Sequence, residues 1–283
     1  MMETKTALPK NPGPIGIFDS GYGGLTILEK IREQMPGYDY IYLGDNARTP
    51  YGTRSFDVVY KYTLECVTRL FEMGCHLVVL ACNTASAKAL RSIQQRDLPA
   101  LDPSRRVLGV IRPTVEAVGA ITQTGHIGLL ATVGTVQSNS YPLEIAKLHK
   151  DIVVSQEPCP MWVPLIENNE HLSEGADYFV RKHVQNLIKF DPQIDTVMLG
   201  CTHYPLLEAK IKALLPEMVQ VVSQGEIVAN SLLDYMQRHP EMNEKCTRGG
   251  SIRYYSTESV EKFISSASIF LKENIVAERI DLG

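Results

Sequence analysis

Short apolar runs alternate with amphipathic stretches along most of the chain. PIGIFDS, DYIYLGD, HLVVLAC, RVLGVI, HIGLLAT, DIVVSQEP, DTVMLGC, MVQVVSQ and IRYYST have strand length and predict strands. The segments between them carry apolar residues at helical spacing. LTILEKIREQM places Leu25, Ile27, Leu28 and Ile31 on one face. SFDVVYKYTLECVTRLFEMG predicts a long helix closed by Gly74. Further helices are expected over TASAKALRSIQQ, over TVEAVGAITQT as far as Gly125, and over TVQSNSYPLEIAKLH after a turn. GADYFVRKHVQNLIKF, YPLLEAKIKALL, GEIVANSLLDYMQRH and the stretch from Glu258 to Leu271 follow. Strands separated by helices of this length imply βαβ units, hence an α/β fold with mainly parallel sheets. A chain of 283 residues fits two domains.

The polar motifs fall just after apolar runs: DSG, GDNARTPYG, ACNT, ATVGT and GCTH. Ligands of open α/β sheets bind outside the carboxyl ends of the strands, so all five motifs are candidates for one site. Two of the junctions match. HLVVLACNTASAKAL and DTVMLGCTHYPLLEA each place a cysteine, then small polar residues, between a strand and a helix. A thiol at a helix N-terminus is expected to have a lowered pKa and to serve as base or nucleophile. A lone cysteine is more simply a small buried hydrophobe, and Cys66, Cys75, Cys159 and Cys246 are read that way. Trp162 receives no role. His203, two residues past Cys201, is a natural acid/base partner. Asp19 could cap a helix, assist a base or bind an ammonium group. The glycines after it suit an anion cradle but do not form a dinucleotide fingerprint, because Thr26 takes the third glycine position. Asn83, Thr84 and Thr202 could cap helices or bind a carboxylate.

Two matched cysteines suit one chemistry above others. Inversion at a carbon removes a proton from one face and returns one to the other, which asks for a base on each side. A cysteine–histidine hydrolase would leave Cys82 unused. Redox work usually keeps both thiols in one motif, and no C-x-x-C pair occurs.

Composition narrows the picture further. The net charge of −4 and the lack of a basic stripe argue against a nucleic-acid partner. No run of 18 apolar residues occurs, so no membrane span is expected. The opening MMETKTALPKNPGP lacks a secretory pattern, and the six cysteines are expected reduced in a cytoplasmic protein. Neither Cys nor His spacing fits a structural metal site.

IGIFDSGYGGLTIL, YIYLGDNARTPYGTRS, LVVLACNTASAKAL, ATVGTVQSNSY, CPMWVPLIE and VMLGCTHYPLL, in this order, resemble the bacterial glutamate racemases, a branch of the cofactor-independent amino-acid racemases. The resemblance implies two flavodoxin-like α/β domains, one inserted in the other, with the active site in the cleft between them. The first would span 14–108 plus 222–283 and the second 109–221. It implies neither pyridoxal phosphate nor metal, L- and D-glutamate as substrates, a supply of D-glutamate for peptidoglycan, and a homodimer. Cys82 would act on D-glutamate with Asp19, and Cys201 on L-glutamate with His203, which Glu167 would orient. Asp19 with Ser20, Tyr51 with Gly52, Asn83 with Thr84, Thr202 with His203, and Thr132 and Thr135 would bind substrate. An aspartate racemase, or a non-catalytic amino-acid-binding protein on the same scaffold, would be the alternatives.

Overall fold

Each apolar run becomes a strand in the computed structural model, which describes residues 8–271 and 273–282. The first seven residues of the predicted lead-in lie outside the described residues. Strands β1 (Ile15–Asp19), β2 (Tyr40–Gly44), β3 (Leu77–Leu80), β4 (Arg106–Gly109), β5 (His126–Ala131), β6 (Val153–Pro158), β7 (Thr196–Gly200), β8 (Gln220–Val222), β9 (Ile252–Ser256) and β10 (Ala277–Arg279) form two sheets. One has six strands in the order β10-β9-β2-β1-β3-β4, the other four in the order β6-β5-β7-β8. Every pairing is parallel. The central strands β1, β2 and β7 are buried along their whole length, which is why they read as unbroken apolar runs.

The α-helices of five or more residues are α1 (Leu25–Gln34), α2 (Phe56–Glu72), α3 (Asn83–Lys88), α4 (Ile111–Val118), α5 (Val133–Ser138), α6 (Ser140–Leu148), α7 (Trp162–Glu167), α8 (Glu174–Phe190), α9 (Glu208–Lys212), α10 (Gly225–Arg238) and α11 (Val260–Ala267). Helix α2 begins at a Ser55 cap that accepts from the Val58 N–H, and ends before Gly74, whose φ of +96° lets the chain turn back.

Several expected helices are shorter than their periodicity suggests. The helix after Cys82 is interrupted at Ala89 (φ −116°, ψ −37°), and short helical segments including a π segment (Ile93–Asp97) follow. The helix expected after Pro113 begins earlier, at Ile111, and ends at Val118 rather than Gly125, where the His149 ring packs on Gly119 and its Nε2 meets the Val115 carbonyl. Past Cys201 the chain makes a 3-10 turn (Tyr204–Leu207), with Pro205 in its first turn, before α9. Strand β10 went unexpected, as a three-residue edge strand with two exposed polar residues shows no apolar run.

The chain leaves the first sheet after Gly109, builds the second from β5 to β8, and returns after Val222 to pack α10 on α1. Two lobes result, joined where Val110 and Gln224 cross between them. A continuous buried apolar cluster runs from Ile15 and Leu28 through Tyr204 and Leu207 to Trp162 and Val184, so the lobes share one core rather than merely touching. Trp162 belongs to it, edge-on to Tyr204 at 4.7 Å between ring centres.

Candidate active site

All five polar motifs sit at strand carboxyl ends. Asp19 closes β1, Asp45 follows β2, Cys82 follows β3 by two residues, Thr132 follows β5, and Cys201 follows β7. The two sheets turn these ends towards one another and enclose a cavity of about 60 Å³. Ser20, Tyr51, Gly52, Cys82, Asn83, Thr84, Thr132, Cys201, Thr202 and His203 line it. Asp19, Thr135 and Glu167 do not; they stand one layer behind it. The cavity's volume is well below the ~300–1,000 Å³ common for small-molecule pockets. A larger groove of about 590 Å³ runs elsewhere between the lobes, past Arg91, Arg112 and Glu144, and holds none of the motifs. Several of its charged side chains are paired with each other, as Arg112 is with Glu116 and Glu144.

Cys82 caps α3. Its sulfur accepts from the Ala85 N–H at 3.4 Å and lies 3.2 Å from the Ser20 hydroxyl. The sequence predicted a lowered pKa there, and the outcome is the reverse. Burial, with the Asp19 carboxyl adding to it, pushes the Cys82 thiol up to about 12, and the bonds from Ser20 and Ala85 only partly oppose this. A helix start is a partial charge, whereas full desolvation of a thiolate is a larger cost. Cys201 departs from expectation differently, because no helix begins at it. Its sulfur lies 3.8 Å from His203 Nδ1 instead.

His203 is held on every side. Its Nε2 meets Glu167 Oε1 at 3.0 Å, and the Phe270 ring stands edge-on at 5.4 Å. Burial alone would lower its pKa; contacts with the Cys201 sulfur and the Glu167 carboxylate outweigh that and raise it to about 10. The imidazole is therefore protonated at neutral pH. Asp19 is fully buried and accepts from the Gly21 N–H at 2.9 Å and the Thr202 hydroxyl at 3.5 Å. Burial raises its pKa against the opposing charge of His203. It does not cap α1, whose start at Gly24 has no side-chain cap.

The glycines after Asp19 leave room where the lobes meet. A Cβ on Gly23 would run into the His203 ring and the Thr202 hydroxyl, and one on Gly21 would lie 2.9 Å from Glu167 Oε1. This turn is flat so that the two lobes can press together there. Elsewhere the lobes meet through the Thr84 hydroxyl, 2.9 Å from that of Thr132 and 3.5 Å from that of Thr135, and through the Gly134 N–H donating to the Gly52 carbonyl at 2.7 Å.

Some participants were not singled out in the sequence. Asp45 receives the Tyr51 hydroxyl, Arg48 Nε at 2.7 Å and the Thr257 hydroxyl at 2.9 Å, and so fixes a wall of the cavity. Its place in GDNARTPYG, at a strand end, was the available clue. Cys159, read as packing, is buried but also lines the cavity. Cys66, Cys75 and Cys246 are buried elsewhere. Among the described residues no group of three or more His, Cys, Asp and Glu side chains is placed to hold a metal ion, and no helix is long and apolar enough to cross a membrane.

Comparison with known proteins agrees with this geometry. The sequence profile of the Asp/Glu/Hydantoin racemase family matches residues 15–232. The glutamate racemase of Paracoccus denitrificans is 40% identical over 271 residues, covering 92% of this chain and 97% of its own. Among solved structures, a glutamate racemase isoform from Bacillus anthracis superposes with a TM-score of 0.86 at 35% identity, covering 95% of this chain and 98% of that one. The glutamate racemase of Francisella tularensis, solved in complex with D-glutamate, gives 0.85 at 30% identity, covering 96% and 98%. The chain belongs to the Asp/Glu/Hydantoin racemase family, among the glutamate racemases.

Proposed function

We propose that this protein interconverts L- and D-glutamate by passing the Cα proton between two thiols. One observation carries the reading: two cysteines, each from the carboxyl end of a different sheet, line one small cavity. A thiolate on one side takes the Cα proton, so the C–H bond breaks and an S–H bond forms. The electron pair left on carbon spreads into the adjoining carboxylate. The opposite thiol then gives its proton to the other face, and the two sulfurs have exchanged states.

The halves are tuned differently. Cys201 acts on L-glutamate with His203 beside it, and Glu167 keeps that imidazole charged and oriented. Cys82 acts on D-glutamate. Its high pKa demands a base, and the raised pKa of Asp19 makes that carboxylate a better proton acceptor. Ser20, Asn83, Thr84, Thr132 and Thr202 offer short donors for the two carboxylates, with Thr135 behind them and the Tyr51–Gly52 turn completing the wall. The substrate's own carboxylate holds the charge, so the scheme calls for neither pyridoxal phosphate nor metal. With it we propose a cytoplasmic homodimer that supplies D-glutamate for peptidoglycan.

The test is incubation with L-glutamate in deuterated water without added cofactor. D-glutamate bearing deuterium at Cα is the expected product. Exchange with aspartate in place of glutamate would move the assignment to an aspartate racemase. Cys82→Ala and Cys201→Ala should each lower racemisation by about 10²–10⁴-fold or more. Either variant working near the wild-type rate would overturn the two-thiol scheme.

A further inference from the structure

Where the chain crosses between the lobes, four buried polar side chains close on one another. Gln224 follows β8 and precedes α10. Its Oε1 accepts from Asn83 Nδ2 at 2.6 Å. Its Nε2 donates to the Tyr141 hydroxyl and to Thr114 Oγ1, both at 2.7 Å. The Tyr141 hydroxyl in turn donates to Asn83 Oδ1 at 2.7 Å. All four residues are buried. Asn83, Gln224 and Tyr141 thus form a ring of three hydrogen bonds running head to tail. Neither amide can turn over without setting donor against donor or acceptor against acceptor. Thr114 extends the ring by donating to the Val110 carbonyl at 2.8 Å. The ring therefore ties α3 of the first lobe to α4 and α6 of the second, and it includes both chain crossings.

Asn83 is also the residue after Cys82 and part of the cavity wall. The ring consumes its Oδ1 and one of its two Nδ2 hydrogens. The second hydrogen is left over, on an amide that cannot rotate. We propose that Gln224 and Tyr141 are positioning residues for the reaction, locking the Asn83 amide so that its remaining N–H meets a carboxylate oxygen of the substrate. This inference rests on the racemase reading above. It also couples substrate grip to lobe position, because the ring holds together only while the two lobes keep this mutual placement.

The experiment is steady-state kinetics in both directions on wild type, Asn83→Ala, Gln224→Leu, Tyr141→Phe and the double variants pairing Asn83→Ala with each of the other two. A lost ground-state contact raises KM and spares kcat. Gln224→Leu and Tyr141→Phe should each raise KM about tenfold for both enantiomers, with kcat changed less than about threefold and the pH profile keeping its shape. In the Asn83→Ala background neither second substitution should raise KM further. Tyr141→Phe deletes a single oxygen and decides the matter should Gln224→Leu fail to fold. If the fold-increases in KM multiply in the double variants, or if kcat falls while KM holds, the inference is overturned and the racemase reading stands. A wild type inert on both enantiomers of glutamate would overturn both.

Discussion

The two thiols differ in what surrounds them, and His203 shows the difference most clearly. In an unfolded chain an imidazole titrates near ~6.5. In the folded protein His203 titrates near about 10. The folded state thus holds its proton more tightly, so the stabilisation is complete below about pH 6.5 and is lost as pH rises through about 10. Urea midpoints of wild type and His203→Gln should accordingly draw together between about pH 6 and pH 10. A gap between them that stays constant over that range would remove the protonated histidine from the account. Cys82 teaches the converse at the same scale. Its position before a helix was visible in the sequence, but the burial that dominates its pKa was not, because burial is set by residues far away in the chain. The sequence thus showed which residues gather at the cavity better than it showed their charge states.

At the scale of elements, the turn from Asp19 to Gly24 is where the fold and the site depend on each other. Gly23→Ala puts a methyl group against His203 and Thr202, neither of which has room to retreat. The variant should lose about 1–3 kcal/mol of stability, as overpacked sites do. Displacing His203 should also lower kcat/KM by about 100-fold, since small misplacements near reacting groups cost that much. Urea unfolding and racemisation assays check both, and a variant keeping more than half its activity would show that the turn can yield. The strands and the strand-end motifs were legible because a buried parallel strand is a run of apolar residues and its end is an abrupt polar step. Helix ends were less so. The helices break at Ala89 and beside Gly119, where the distant His149 packs, while the apolar spacing continues past them. Strand β10 escaped because pairing with β9, rather than its own composition, makes it a strand.

For the whole molecule, the cavity belongs to neither lobe. Cys82 and Cys201 are 6% and 7% exposed and line a cavity set between the two lobes. A reagent as large as iodoacetamide reaches them when the lobes part. Alkylation of Cys201, followed by mass spectrometry, should therefore approach a rate independent of reagent concentration, set by the frequency of opening. A rate that climbs in proportion to reagent without limit would mean the thiols are reachable at rest. The residues that hold the lobes in register, Gln224 and Tyr141 among them, were invisible to sequence reasoning, since their meeting depends on how two separately built sheets face each other. The order of the strands has a further consequence, for synthesis on the ribosome. The four-stranded sheet is complete once Val222 has been made, whereas the six-stranded sheet still waits for β9 and β10. Until Ile252–Ser256 emerges, the outer side of β2 has no partner. The nascent chain thus carries a finished second lobe beside a first lobe with an open, apolar edge. During that interval the unpaired edge of β2 is open to mispairing.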